Sequence, residues 1–338
     1  MTHKITLKPS GHEFVSENAE TLLDSALREG VNLPYGCRNG ACGACKGKIL
    51  AGQVDHGAYQ DHALTEADRA AGITLLCCAK PLSDVTVEAK EIAGGMDIAV
   101  KTMPCRVESI VKPAPDVAIL TLKLPAGERL QFLAGQYIEI LLKDGQRRAF
   151  SLANAPNDDA LLELHVRHVP GGLFTDFVFK ELKEKVILRF EGPHGSFFLR
   201  EDSAKPLLLI ASGTGFAPLK SIVEHALHNH HQRPMILYWG ARTPADLYLT
   251  ELPHRWENAH PNFKFVPVIS EPRAGDGWQG RTGLVHQAVL DDFADLSGYQ
   301  AYACGAPPMV AAARETFTTQ RGLPEDEFFA DAFTFAKG

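Results

Sequence analysis

Apolar and polar positions change rhythm twice along this chain, and the three stretches they divide predict three architectures. Up to about residue 92 the pattern is mixed. Ile5 and Leu7 alternate with polar neighbours, and residues 13–15 give a second short strand. Residues 21–30 put Leu22, Leu23, Ala26 and Leu27 on one helical face, and Val85-Thr86-Val87 supplies a closing strand. A small α+β unit is the expected result. From about 104 the period becomes two. Residues 106–111, 117–124, 137–142, 149–152, 161–169 and 186–190 alternate, with turn residues between them. Six short strands at that spacing predict an antiparallel barrel, interrupted by a helix over 174–182.

Beyond about 205 the strands become continuously apolar, as in Pro206-Leu207-Leu208-Leu209-Ile210, and a helical pattern starts at Pro218. Strand-like residues 235–239, 263–269 and 302–304 alternate with helical stretches, the rhythm of a parallel α/β sheet. The expected domains are 1–92, 104–202 and 203–338. Residues 93–103, with the pair Gly94-Gly95, form the expected linker.

Composition changes this picture little. At 45% hydrophobic and 22% charged the chain is ordinary for a soluble globular protein, and its 338 residues suffice for separate cores. A net charge of −7 with no basic tail argues against nucleic acid as a partner. The first residues lack the apolar core of a signal peptide, and runs such as 207–211 are too short to span a membrane. Seven cysteines, an odd number, give no disulfide framework, which fits a reducing cytoplasm. The expected protein is a cytoplasmic monomer.

The cysteines carry the chemistry. Cys37-x4-Cys42-x2-Cys45, followed by Cys77, has the spacing of a plant-type [2Fe–2S] ligand set, four thiolates on two irons. The surrounding Gly36, Gly40, Ala41, Gly43 and Ala44 are small, as a loop turning its N–H groups toward sulfur requires. Zinc is the competing reading, but zinc sites pair C-x-x-C with a second two-ligand knuckle, and Cys77-Cys78 is not one. Either Cys77 or Cys78 can be the fourth ligand. Cys77 stands four residues before Pro81, similar to plant-type ferredoxins, and is preferred. The first domain thereby resembles the β-grasp ferredoxin fold.

Arg148-Ala149-Phe150-Ser151 resembles the flavin-binding R-x-Y-S motif of the ferredoxin–NADP reductase superfamily. The resemblance implies that Arg148 pairs with a flavin phosphate, Phe150 packs beside the ring system and Ser151 reaches N5. Phe150 replaces the commoner tyrosine, so that hydroxyl is missing. Gly135-Gln136-Tyr137 and Gly192-Pro193-His194-Gly195 are similar to flanking family segments, and Gly171-Gly172-Leu173-Phe174-Thr175 opens a helix whose free N–H groups suit a pyrophosphate. A pyrophosphate motif and an N-terminal ferredoxin domain imply FAD over FMN.

Gly213-Thr214-Gly215-Phe216-Ala217-Pro218 lies in a strand–turn–helix context and resembles the family's nicotinamide-nucleotide loop. Cys304-Gly305-Ala306-Pro307-Pro308-Met309 resembles its C-G-x-P-x-M segment, which implies Cys304 and Gly305 against the nicotinamide, with Cys304 a positioning group. Asp331-Ala332-Phe333 resembles the terminal E-x-aromatic that shields the flavin, with Asp for Glu and residues 334–338 in excess. Arg242 and Glu271 line up with the adenosine-side segments. An acid at 271 repels a 2′-phosphate, which favours NADH over NADPH. His225, His228, His230 and His231 fall on the polar side of the helix after Pro218, with no thiol or carboxylate set beside them, and read as a solvated face.

Together these features resemble a three-module ferredoxin/FAD/NAD reductase. A two-electron donor is coupled there to a one-electron centre, with the flavin between. The implied route is hydride from NADH to flavin near Ser151 and Cys304, then single electrons through the cluster to a redox partner protein. Residues 33–47 and 61–88 most resemble CDP-6-deoxy-3,4-glucoseen reductases, whose partner is a dehydrase. Reductase components of aromatic-ring or phenol oxygenases are the alternative. An iron–sulfur carrier or sensor without catalysis is a third reading, against which Gly213–Pro218 and Cys304–Met309 count.

Overall fold

The computed structural model describes residues 2–17, 20–92 and 98–334. The Gly94-Gly95 pair of the expected linker, and residues 335–338 beyond the terminal aromatic, lie outside the described residues. The chain divides into two compact units, Met1–Ala99 with Gly195–Phe197, and Val100–His194 with Phe198–Gly338.

The first unit contains β1 (His3–Lys8), β2 (Glu13–Ser16), α1 (Leu22–Arg28), β3 (Lys46–Ala51), β4 (Val54–Asp55), α2 (Glu66–Ala70), β5 (Ile73–Leu75), β6 (Lys80–Pro81) and β7 (Val85–Glu88). Its five-stranded sheet runs β2-β1-β7-β3-β5, and β4 pairs with β6. The β1–β7 pair is parallel and its neighbours antiparallel, the β-grasp arrangement. Ile5, Leu7, Val85 and Val87 face Leu22, Leu23 and Ala26 of α1 in one buried core. Thr21 caps α1 through its side chain, accepting from the Asp24 N–H at 3.1 Å. Strands β3 to β6 and the helix α2 had no counterpart in the hydrophobic pattern. In β3, Lys46-Gly47-Lys48 interrupts the apolar alternation, and Ala51 faces Thr86 across a register shift.

The second unit opens with β8 (Lys101–Ala114), which takes in residues 101–103 and buries Met103, then β9 (Val117–Lys123), β10 (Tyr137–Leu141), β11 (Arg147–Ser151), β12 (Leu162–Arg167), α3 (Leu173–Lys180) and β13 (Ile187–His194). The sheet order β11-β10-β13-β8-β9-β12 is antiparallel throughout. An antiparallel bridge from Leu152 to Leu164 joins its two edges and closes a six-stranded barrel. Inward side chains of period two, such as Leu120, Leu122, Ile138, Ile140, Leu162 and Leu164, form its buried core.

The rest of this unit is an α/β sheet: β14 (Leu207–Ser212), α4 (Phe216–His228), β15 (Met235–Ala241), α5 (Glu251–Ala259), β16 (Phe263–Ile269), β17 (Arg281–Thr282), α6 (Val285–Asp292), β18 (Gln300–Gly305), α7 (Pro307–Arg321) and β19 (Phe328–Ala332). Its six strands are parallel in the order β17-β16-β15-β14-β18-β19. Strands β15 to β17 build out on one side of β14, and β18 and β19 on the other. The crevice at the carboxyl ends of β14 and β18 is therefore a topological switch point, where sheets of this kind take their ligands.

Candidate functional site

In the first unit the thiols meet in two pairs, Cys37 with Cys42 and Cys45 with Cys77. The Cys42 and Ala41 N–H groups donate to Cys37 Sγ at 3.3 and 3.4 Å, and the Cys37 N–H donates to Cys42 Sγ at 3.4 Å. The Gly40 backbone donates toward Cys77. Gly40 itself has φ +73°, and a Cβ there would lie 2.7 Å from the Ala58 carbonyl oxygen and 2.8 Å from Cys78 Sγ. The loop thus needs glycine both for its turn and for its space. Within each pair the shared hydrogen bond holds one thiol well below its ordinary range, Cys37 and Cys77, and pushes its partner up, Cys42 and Cys45. Four converging sulfurs wrapped by N–H donors fit a [2Fe–2S] group. Cys78 Sγ stands 3.6 Å from Cys77 Sγ, outside the two pairs.

On the barrel, Arg148, Phe150 and Ser151 lie on β11. Arg148 and Phe150 are half-buried and Ser151 is buried. The Phe150 ring packs on Phe174 of α3 at 5.1 Å between centroids. Gly171 has φ +81°, and Gly172 is the residue before α3, with no side chain capping the helix. Thr175 Oγ1 instead donates back to the Val169 carbonyl at 2.9 Å. The first amides of α3 are consequently left for an anionic ligand, which fits the flavin pyrophosphate.

On the parallel sheet, Gly213-Thr214-Gly215 forms one turn of 3₁₀ helix between β14 and α4, and Pro218 lies in the first turn of α4. Two close approaches fix this turn against the end of β18. A Cβ on Gly215 would fall 2.1 Å from the Cys304 carbonyl oxygen, and one on Gly305 (φ +133°) would fall 2.2 Å from Ser212 Oγ. The Ala306 N–H donates to that same Ser212 Oγ at 2.8 Å. Trp239 Nε1 donates to the Gly213 carbonyl at 2.9 Å while its ring stacks on Phe216 at 4.0 Å. Strand β19 brings the terminal segment to the same place. Asp331 pairs with Cys304, and the Phe333 N–H donates to the Gly305 carbonyl at 2.8 Å. Cys304 is fully buried, and burial pushes its thiol up, which disfavours the thiolate.

Arg242 and Glu271 sit just past the ends of the adjacent strands β15 and β16, both exposed, with the Glu271 N–H donating to the Arg242 carbonyl at 2.8 Å. Gly215, Cys304, Gly305, Asp331 and Phe333 are in turn joined at the ends of β14, β18 and β19. His225 accompanies Glu201 at 2.7 Å, and His230 and His231 fall beyond the end of α4. Among the described residues, the metal-compatible cluster with a histidine is Glu139, Glu191 and His194, and Arg147 already bridges its two carboxylates.

Sequence reasoning missed two groups. Arg167, at the end of β12, donates from Nη1 to Asp116 at 2.8 Å. Its Nη2 is buried without a hydrogen-bond acceptor, 3.4 Å from where a Gly213 Cβ would stand. A cation late in a barrel strand carries no local sign of facing a loop 46 positions on. The second is a buried polar chain through Tyr248, His165, Glu163, Lys220 and Glu224.

Comparison with known proteins agrees with this geometry. Residues 5–82 match the 2Fe-2S iron-sulfur cluster binding domain, 104–199 the oxidoreductase FAD-binding domain, and 209–315 the oxidoreductase NAD-binding domain. A CDP-6-deoxy-L-threo-D-glycero-4-hexulose-3-dehydrase reductase of Yersinia pseudotuberculosis is 43% identical over 339 residues, covering 100% of both chains. The chain belongs to this family of iron–sulfur flavoprotein reductases. It is an oxidoreductase with [2Fe–2S], FAD and NAD-binding domains. The phenol 2-monooxygenase reductase component DmpP of a Pseudomonas species is 37% identical, over 100% of this chain and 96% of its own. The crystal structure of the Amycolatopsis cytochrome P450 reductase GcoB superposes with a TM-score of 0.81 at 36% identity, over 99% of this chain and 100% of that one. These relatives are named as reductases or a reductase component, and the matches cover 99–100% of this chain. No described helix is long and apolar enough to cross a membrane.

Proposed function

We propose that this chain is the NADH-dependent reductase that supplies electrons to a CDP-6-deoxy-hexulose-3-dehydrase. The observation that carries this is the 43% identity, end to end, with the Yersinia dehydrase reductase. When bound, a flavin would supply the conversion between a two-electron nicotinamide donor and a one-electron cluster. The protein's own residues bind and orient. Arg148 and the α3 amides would hold the flavin phosphates, and Ser151 would reach the ring. Gly213 to Gly215 and Gly305 admit the dinucleotide close to the backbone, and buried Cys304 shapes the nicotinamide pocket. Asp331 on β19 and Phe333 just past it would shield the flavin face until the nicotinamide arrives. Cys37, Cys42, Cys45 and Cys77 hold the cluster. Glu271 disfavours a 2′-phosphate and so favours NADH. The protein acts as a cytoplasmic monomer.

The second reading, an oxygenase reductase, is supported by the 37% identity to the phenol 2-monooxygenase component. Reconstitution separates the two. The purified reductase is combined with NADH and either a 3-dehydrase charged with its CDP-6-deoxy-hexulose substrate, or a phenol hydroxylase with phenol. Turnover of the sugar and none of the phenol is expected. Turnover of phenol alone would replace the proposal by the second reading.

A further inference from the structure

Lys220 is the conspicuous group that the function above leaves unused. It lies on α4, which begins at the dinucleotide turn, yet it is 7% exposed. A buried ammonium is costly unless it is paired and hydrogen-bonded. Here the partners come from both modules of the second unit. Lys220 Nζ lies 2.8 Å from Glu224 on its own helix and 3.3 Å from Glu163 on barrel strand β12. It also donates to the Ala153 carbonyl at 3.2 Å, two residues past Ser151. The next residue repeats the connection: buried Ser221 donates from Oγ to the Asn154 carbonyl at 2.8 Å. Glu163 is held in turn. Burial works to raise its carboxyl, but the hydrogen bond from His165 and the charge of Lys220 outweigh it and hold it down at about 2. An ionised Glu163 can only accept, so His165 donates to it from Nε2 and receives the Tyr248 hydroxyl proton at Nδ1, each at 2.8 Å. Tyr248 then packs edge-on against Trp239, whose indole holds the Gly213 carbonyl.

We propose that Lys220 is a positioning residue for hydride transfer: with Glu163 and Ser221 it fixes the distance between the dinucleotide turn and the flavin-binding strand. Lys220 lies five residues beyond Gly215, roughly 7.5 Å along a rigid helix. Ala153 and Asn154 lie immediately beyond the flavin motif. The tie therefore joins points close to both reacting partners, and does so through a charge that cannot slide without losing its pairing. Hydride transfer requires reacting atoms about 3–3.5 Å apart, and a displacement of about 1 Å costs on the order of 100-fold in rate. The inference does not depend on which partner protein takes the electrons.

The test is anaerobic stopped-flow reduction of the flavin by NADH in the full-length holoprotein, without any partner. In K220M the limiting rate should fall about tenfold or more while the NADH Kd stays within about threefold and the FAD and iron contents are retained. K220R, which keeps the charge, should recover most of the rate. S221A removes one buried hydrogen bond with little change of shape and should slow reduction about two- to fivefold. Should K220M lose FAD, S221A and K220R decide alone. A limiting rate within twofold of the parent in K220M or S221A overturns the proposal. So does a loss expressed wholly in the NADH Kd, or a K220R that reduces no faster than K220M.

Discussion

Replacing Gly215 by alanine puts the dinucleotide turn to its most direct trial. The added Cβ would lie 2.1 Å from the Cys304 carbonyl oxygen, 2.5 Å from its carbon and 2.8 Å from Gly305 Cα. All three are backbone atoms, so no rotamer change relieves the overlap. Ordinary contact begins near 3.4 Å, so the turn and the end of β18 must separate by about 1 Å. Cys304 has little freedom to retreat, because it pairs with Ala211 of β14 on one side and Asp331 of β19 on the other. Overpacking of this kind costs about 1–3 kcal/mol, and a backbone clash between central strands belongs at the upper end. An equal displacement at the nicotinamide costs on the order of 100-fold in rate. G215A should retain its FAD and cluster spectrum, melt several degrees lower, and reduce its flavin about 100-fold more slowly in anaerobic stopped flow. G298A is the control, since a Cβ there meets nothing within 4 Å. Flavin reduction by G215A within twofold of the parent would refute the assignment of this turn to the nicotinamide nucleotide.

Other expectations follow from the same structure. Exchanging Glu271 for lysine, beside Arg242, should raise kcat/KM for NADPH relative to NADH by about tenfold or more, measured by steady-state kinetics with both nucleotides. No change in that ratio would remove Glu271 from nucleotide choice. Glu163, held at about 2 against an ordinary 4.5, stabilises the fold fully above about pH 4.5, and that contribution is lost as pH falls toward 2. The loss amounts to about 3 kcal/mol at most, so denaturant titrations of E163Q should fall less steeply with acid than those of the parent; parallel curves would deny Glu163 its role. Replacing Gly40 by alanine should lower cluster occupancy several-fold in iron analysis while leaving FAD content unchanged, because its Cβ would intrude on the Ala58 carbonyl and on Cys78. Full iron content in G40A would contradict the loop geometry.

Local chemistry was legible in the sequence wherever it is written in consecutive residues. The Cys37, Cys42 and Cys45 spacing, the glycines at 213 and 215, and the β14 run each declare themselves within a dozen positions, whereas Cys77 lies 32 residues past Cys45. Period-two alternation also exposed the barrel, because its core admits every second side chain. What escaped was non-local or carried by weak patterns. Strand β3 reads as a charged glycine-containing segment, and its pairing with β5 and β7 is settled by the sheet. Lys220 shares its helix with Glu224, His225 and His228, so nothing in the local sequence marks it as buried. Only the tertiary fold reveals the Glu163 carboxylate, 57 positions earlier, that keeps it buried. Arg167 and Gly213 are neighbours for the same reason, through closure of the barrel against the parallel sheet.

The central claim is that electrons enter as a pair through the nicotinamide and flavin sites and leave singly through the cluster held by Cys37, Cys42, Cys45 and Cys77. Its most direct measurement is a comparison of C45S with the parent protein, following flavin absorbance on mixing with NADH and then reduction of a one-electron protein acceptor such as cytochrome c. The account predicts that C45S bleaches its flavin at the parental rate yet delivers almost no electrons to the acceptor. Undiminished delivery by a cluster-free C45S would contradict a serial path, as would loss of flavin reduction in a C45S protein that keeps its FAD and fold.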